Sequence, residues 1–181
     1  MLASLGLHVT VVASSYVEEP LAGLRPAELA AAHAAGKAAG AVPSDRLIVA
    51  ADTVVDIDGD ALGKPVDRAE AVAMLTRLAG RWHTVHTAFA LRDDVTEVSL
   101  ADIVSTRVKF ADLDSDMIAA YAASGDGMDK AGAYGIQGFA ATLVERIDGD
   151  YFGVVGFPLA AFARAVRLMG YSVLPRAEVP A

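Results

Sequence analysis

One carboxylate interrupts an apolar run near the middle of the chain. The run begins at Leu47, meets Asp52 and Thr53, and then resumes as far as Ile57. An ionised carboxylate in apolar surroundings costs on the order of several kcal/mol unless it is paired, hydrogen-bonded or bound to a metal ion. We therefore expect Asp52 to end a buried strand and to face a polar cleft, because α/β sheets bind their ligands at strand ends.

Two loops carry cations in settings that suit ligand binding. Lys64 lies between a glycine that lets the backbone bend and a proline that fixes it, so the loop presents the ammonium group outward. The second loop, DKAGAYGIQG at positions 129–138, places three glycines among an acid, a base, a tyrosine and a glutamine. Its glycines let backbone amides approach a ligand, Lys130 adds positive charge, and Gln137 offers both a donor and an acceptor.

Other polar residues allow an ordinary structural interpretation. Lys37 falls near the end of a predicted helix, where a solvated lysine complements the helix dipole, and ligand binding is the alternative. The alternating aspartates of 56–60 favour a tight turn over a calcium loop or a phosphatase motif, because the glycine and glutamate of a calcium loop are missing. His83 and His86 would point to opposite faces of a strand, which disfavours a shared metal ion.

The elements that must position these residues alternate between helices and strands. Capping residues, apolar stripes and terminal glycines predict helices at 26–40, 67–80, from 114 or 115 to 121, and 158–170, with the end of another at 1–7. Strands are expected at 8–13, 47–58, 82–91, 98–110 and 142–147. The loop over 14–24 carries the acidic pair Glu18 and Glu19, and we expect the tail at 175–181 to be frayed.

The composition is that of a globular chain. Its 181 residues suffice for one domain or for two small lobes around a cleft, and 54% of them are hydrophobic. The longest apolar stretch near the C-terminus is shorter than the ~18 residues that a membrane-spanning helix needs. A net charge of -8 disfavours broad nucleic-acid binding, and the lack of cysteine excludes disulfides and thiolate ligands. The N-terminal run lacks the positive region of a signal peptide, so we expect a cytoplasmic protein.

Four motifs together resemble those of one enzyme family. ADTVV at 51–55, LGKP at 62–65, DKAGAYGIQG at 129–138 and GDYFGVVGFP at 149–158 occur in the order typical of the Maf family of nucleoside triphosphate pyrophosphatases. The resemblance runs from Met1 to about Gly170. It implies a single Maf-like domain over 1–181 with an elongated α/β fold, similar to that of inosine triphosphatase-like proteins. That fold has a twisted mixed sheet flanked by helices and a cleft between two lobes.

The resemblance also implies a reaction and a set of roles. Family members hydrolyse a nucleoside triphosphate to the monophosphate and pyrophosphate, through attack of water at the α-phosphorus with Mg²⁺ or Mn²⁺. Asp52 matches the proposed proton acceptor, and it would hold the metal ion together with Glu19 of the acidic pair. The polar residues that line the triphosphate site, including the catalytic lysines, are matched by Lys37, Lys64, Asp129 and Lys130. Thr53 and Gln137 match the branch that prefers dTTP and UTP, and Gln137 suits the imide edge of uracil or thymine.

One part of the family pattern is missing from this sequence. The family opens with a strand and an S-x-S-P-R-R loop that binds phosphates, whereas Met1 falls inside the helix that would follow that loop. We expect that the start was misassigned and that the natural protein is longer; a true short form with weakened activity is the alternative. The short form keeps a second function open, a nucleotide-binding regulator linked to cell division. Modified pyrimidine triphosphates as substrates and a homodimer are further expectations.

Overall fold

The computed structural model describes residues 1–19 and 21–174, and within them one five-stranded sheet carries helices on both faces. The strands are Ile48–Ile57 (β1), Asp60–Leu62 (β2), Trp82–Asp93 (β3), Val98–Phe110 (β4) and Val144–Asp148 (β5). The helices are Pro26–Ala39 (α1), Arg68–Leu78 (α2), Ser115–Ser124 (α3), Tyr151–Val155 (α4) and Leu159–Leu168 (α5). Pro20 and the tail at 175–181, predicted to be frayed, lie outside the described residues. None of the helices in the described ranges is long and apolar enough to cross a membrane.

The predicted α/β class is confirmed, but the sheet differs from the prediction in one respect. The strands follow the order β2-β1-β3-β4-β5, and every neighbouring pair is antiparallel. A mixed sheet was expected, and the described strands contain no parallel pair. Short turns join β1 to β2 and β3 to β4, and such turns connect only antiparallel strands, whereas a parallel pair needs a long crossover.

Elements with strong local signals form where they are predicted. Asp67 caps α2 by accepting a hydrogen bond of 2.8 Å from the backbone N–H of Glu70. The predicted tight turn is also confirmed, since Asp58 and Gly59, at φ of 59° and 88°, join β1 to β2 with Ile57 opposite Asp60. Positive φ at both central residues matches the right-handed twist of the flanking strands.

One prediction about local structure is wrong, and one helix was missed. The segment 8–13 forms no strand, and its neighbour Ser14 makes one isolated bridge to Ala41. Val11 in that segment is 93% exposed, so the apolar alternation has neither a partner strand nor a face to bury. Helix α4 was not predicted from the sequence, and Asp150 caps it by accepting from the N–H of Gly153 at 2.9 Å. The glycines of this segment obscure its helical signal because glycine has a low helix propensity.

Helix α1 covers one face of the sheet through a stripe of small residues. Ala30, Ala34 and Ala38 are buried against Val54 of β1 and alanines of β3. Alanine side chains let the helix approach the sheet closely without a loss of side-chain entropy. The neighbouring stripe of α1, which includes His33 and Lys37, is thereby held at the edge of β1.

The opposite face of the sheet is divided between two apolar clusters. Helices α2 and α3 pack with the loop 131–143 over Val55, Val85 and Phe110, while α5 packs over Phe89 and Leu91. Phe89 makes an edge-on contact with Phe162 of α5 at a centroid distance of 6.2 Å.

The loop before α1 is attached to that helix by hydrogen bonds, and it packs closely because Gly36 has no side chain. Ser14 Oγ donates to the carbonyl of Lys37 at 2.9 Å, and the hydroxyl of Tyr16 lies 2.9 Å from Nδ1 of His33. The ring of Tyr16 lies over Gly36, where a Cβ atom would overlap it. Glycine at position 36 therefore allows Glu18, two residues after Tyr16, to reach Lys37 near the end of α1.

We expect Gly36→Ala to lower the melting temperature, although the same change in an ordinary helix stabilises it by about 1 kcal/mol. The added methyl group displaces the Tyr16 ring and breaks its hydrogen bond to His33. In a Tyr16→Ala background the same substitution should raise the melting temperature, because the overlap is gone. Thermal unfolding of the four proteins of this cycle tests the contact, and stabilisation by Gly36→Ala in both backgrounds would contradict it.

Candidate active site

Asp52 lies in the middle of β1 and not, as predicted, at its end. The strand continues to Ile57, so the polar surroundings of Asp52 do not come from a strand terminus. They come from an open edge: β3 pairs with β1 from Ile48 to Asp56, whereas β2 pairs with it only from Val55 to Ile57. Within the described residues, β1 is thus paired on one side only near Asp52, and the free side faces a cleft.

The cleft has a volume of about 900 Å³ and wraps around this open edge of β1. Five consecutive residues, 51–55, line it, so side chains from both faces of the strand take part. The other walls come from α1, the loop 61–64, the loop 126–138 and residues 154–156. The structure therefore brings the two predicted ligand-binding loops and the predicted carboxylate to one place.

Lys37 lies between two carboxylates inside the cleft. Its Nζ is 2.6 Å from Oδ1 of Asp52 and 2.8 Å from Oε1 of Glu18. Burial raises the pKa of Asp52 above its usual range, although the hydrogen bond and the charge of Lys37 oppose that effect. Burial would lower the pKa of Lys37, but its bonds to Asp52 and Glu18 outweigh burial and the pKa rises. The hydrogen bond to Lys37 lowers the pKa of Glu18 below its usual range.

Three of the four lysines in the chain line the cleft, each from a different element. Lys37 comes from α1, Lys64 from the loop after β2, and Lys130 from the loop after α3. Lys64 is exposed, and its charge lowers the pKa of both Glu18 and Asp129. In the described ranges no arginine lines the cleft, so the cationic side chains of its lining are these three lysines.

The glycine-rich loop at 129–138 is anchored in the core by buried residues, such as Tyr134, that lie between its polar residues. Tyr134 is 4% exposed, and its hydroxyl lies 2.7 Å from Nε2 of His83. Burial lowers the pKa of His83 to about 4, so this pair is neutral. Gly135 leaves room for the Lys130 side chain, whose Cδ and Cε occupy the place of a Cβ. The loop thereby has a fixed base and a polar rim.

The polar rim carries the remaining predicted binding residues. Lys130 Nζ is 2.6 Å from Oδ1 of Asp129, and both side chains are at least 40% exposed. Gln137 is exposed at the cleft and has no side-chain hydrogen bond to the residues that the structure describes. Thr53 lies across the cleft on β1, with its Oγ1 2.9 Å from Oγ1 of Thr87. Donors and acceptors for a polar ligand are thus available on both walls.

The structure separates the acidic pair that the sequence treats together. Glu18 contacts Lys37 and lines the cleft, whereas Glu19 is exposed and is not among the cleft-lining residues. His33, which sequence reasoning missed, also lines the cleft, one helical turn before Lys37. The spacing of four residues on a predicted helix was the signal that could have identified it.

A divalent cation fits the donor set of this cleft if phosphates complete its coordination. Among the described residues no cluster of three or more histidines, aspartates or glutamates is arranged to bind a metal ion. Asp52 and Glu18 nevertheless place two carboxylates within reach of the same ammonium group. Magnesium typically binds to one or two carboxylates and takes its other ligands from water and substrate phosphates.

Comparisons with known proteins agree on one family. The chain matches the family described as Maf-like protein over residues 1–169. A protein of Geobacter metallireducens named dTTP/UTP pyrophosphatase is 46% identical over 172 residues, which cover 94% of this chain and 90% of that protein. One of the same name from Pelotomaculum thermopropionicum is 42% identical over 96% of this chain and 92% of its own length. Another from Methylobacillus flagellatus is 52% identical over 71% of this chain, which spans 64% of that relative.

We expect Lys37→Met to raise the pKa of Asp52 further above its usual range. The substitution removes the group that most strongly opposes burial, while the carboxylate of Glu18 remains nearby. Titration of the aspartate carboxyl carbons by NMR measures the change directly. Lys109→Met is the control, because Lys109 lies on β4, outside the cleft lining, and donates to the carbonyl of Gly80. A pKa of Asp52 that falls or stays constant in Lys37→Met would contradict the assignment.

Proposed function

The chain belongs to the Maf-like protein family, and from this premise we propose that it hydrolyses dTTP and UTP to the monophosphate and pyrophosphate. The names of the relatives supply the reaction and its substrates. The observation that carries the proposal for this chain is the contact of Lys37 with both Asp52 and Glu18, in a cleft that two further lysines line. A polar cluster of this kind suits a polyphosphate, whose negative charge needs several cations.

The three lysines have a clear task in such a reaction. Attack on the α-phosphorus adds negative charge to oxygens that are already crowded with charge, and fixed cations stabilise that charge. Lys64 and Lys130 lie on exposed loops and would bind the phosphates first. Lys37 is held in place by Asp52 and Glu18, so it would orient the groups next to the attacking water.

Asp52 is proposed as the acceptor of the proton that the attacking water loses. A general base works best when its pKa lies near the working pH, and burial moves the pKa of Asp52 upward from that of an ordinary aspartate. The base must be ionised, so activity falls as pH drops through this raised pKa. The acid limb of the pH profile should therefore lie above 3.8, the ordinary value for aspartate.

A divalent metal ion is part of the proposal, with Mg²⁺ or Mn²⁺ as the candidates. The ion would lower the pKa of the attacking water and neutralise phosphate charge. Asp52 is one proposed ligand, and the acidic pair Glu18 and Glu19 supplies the second. The contact of Glu18 with Lys37 favours Glu18 for this role, whereas the resemblance in sequence favours Glu19.

Recognition of the base is assigned to Thr53 and Gln137. Both line the cleft, and the free amide of Gln137 offers the donor and the acceptor that the imide edge of uracil or thymine requires. Asp129 would hold Lys130 in position beside the phosphates. Modified pyrimidine triphosphates as substrates, a cytoplasmic location and a homodimer complete the proposal.

The first test is pyrophosphate release from a panel of nucleoside triphosphates with magnesium or manganese. We expect turnover of dTTP and UTP above that of the purine triphosphates. Asp52→Asn should lower kcat by about 10²- to 10⁴-fold, the usual contribution of a general base. Asp58→Asn is the matched control, because Asp58 pairs with Arg81 at the turn after β1, outside the cleft lining. Unchanged turnover in Asp52→Asn would rule out the base, and nucleotide binding without turnover would favour the regulator.

A second test compares Glu18→Gln with Glu19→Gln. If Glu18 helps to hold the metal ion, Glu18→Gln should raise the magnesium concentration needed for half-maximal activity about tenfold, while Glu19→Gln leaves it nearly unchanged. Each substitution removes one charge from neighbouring residues, so the long-range electrostatic change is similar. The opposite pattern would assign the metal ion to Glu19.

A further inference from the structure

A chain of hydrogen bonds runs from the cleft into the core through two threonines. Thr53 Oγ1 lies 2.9 Å from Thr87 Oγ1, and Thr87 Oγ1 donates to the carbonyl of Gly153 at 2.7 Å. Thr53 and Thr87 are directly opposite each other on β1 and β3, while Gly153 belongs to α4. Three separate elements therefore meet in one line of polar atoms behind the cleft.

The direction of the protons along this chain follows from the chemistry of its ends. A carbonyl oxygen only accepts, so the single proton of the Thr87 hydroxyl points at Gly153. The Thr87 oxygen is then left as an acceptor for Thr53, and the Thr53 hydroxyl must donate its own single proton to it. Thr87 is fully buried at 0% exposure, so water does not compete for these bonds.

We propose that Thr87 and the carbonyl of Gly153 fix the Thr53 hydroxyl as a hydrogen-bond acceptor toward the cleft. A ligand atom that meets Thr53 must then be a donor. The imide N3–H of uracil or thymine satisfies this condition, whereas N3 of cytosine is a bare acceptor and faces a second acceptor. This inference rests on the proposed function and deepens it: Thr87, which does not line the cleft, is a positioning residue for pyrimidine selectivity.

The mismatch with cytosine should weaken binding by a measurable factor. A buried polar atom without a partner typically reduces binding by about ten- to a hundredfold. The effect is specific to the base atom that meets Thr53, because the amide of Gln137 has both a donor and an acceptor and can serve either pyrimidine by rotating. Selectivity against cytosine therefore depends on Thr53, whose hydroxyl cannot turn to donate to the ligand.

The experiment measures binding and turnover of UTP, CTP and 3-deaza-UTP, which has a carbon in place of N3 and so lacks the imide donor. The wild-type protein should bind UTP about tenfold or more tightly than either analogue. In Thr87→Val the hydroxyl proton of Thr53 is free to turn toward the cleft. The preference for UTP over CTP should then shrink about tenfold, and binding of 3-deaza-UTP should remain weak.

The matched control is Thr106→Val on β4. Thr106 is also 0% exposed, and its hydroxyl accepts from the N–H of Asp150 at 2.9 Å, at the start of the same helix α4. This variant loses a comparable buried bond without touching Thr53, so the ratio of UTP to CTP binding should stay constant. Thr87→Ser, which keeps the hydroxyl, should also keep the ratio.

The outcomes separate this inference from the proposed function. Hydrolysis of UTP with an unchanged preference in Thr87→Val overturns the inference and leaves the function standing. Preferential binding of UTP without hydrolysis, lost in Thr87→Val, supports the inference and removes the function. If Thr87→Val does not fold, equal binding of UTP and 3-deaza-UTP by the wild-type protein overturns the inference by itself. If no nucleotide binds, both the inference and the proposed function are wrong.

Discussion

The architecture depends on the need to compensate a carboxylate that is buried beside an open strand edge. Lys37 opposes the effect of burial on Asp52 by contacting its carboxylate, and it reaches that carboxylate because the alanine stripe of α1 lies close to the sheet. The loop before α1 adds Glu18 to the same ammonium group, and Gly36 makes room for that loop. The cluster of charged side chains is thus held in place by the apolar packing of α1 on the sheet. Weakening that packing would let the charged side chains move apart.

The alternation of side chains along β1 divides the site into two halves. Asp52 points toward α1 and the charged cluster, whereas Thr53 points to the opposite face and the threonine chain. The charged cluster and the proposed base-recognition residue therefore lie next to each other in the sequence without sharing a surface. The open edge makes this arrangement usable, because one ligand can contact both faces only where no neighbouring strand covers the edge.

Sequence reasoning found the parts of the site that local patterns determine. The glycine and proline around Lys64 and the ten-residue loop around Lys130 are recognisable from the sequence alone. The start of α1 follows from Pro26, and the cap of α2 follows from Asp67. The rest depends on contacts between distant segments. Whether an edge of β1 is covered, whether 8–13 finds a partner, and which acidic residue turns toward Lys37 are all decided by pairing that neighbouring residues do not encode.

The concentration of lysines in the cleft has a consequence for chemical modification. The chain has only four side-chain amines, and the one outside the cleft, Lys109, is half-buried against the carbonyl of Gly80. Acylation of a lysine removes its charge, and arginine does not undergo that reaction. Among the side chains, acetyl donors and amine-directed dyes would therefore act mainly on residues that line the cleft. A covalent label on a lysine side chain of this protein would report mainly on the cleft.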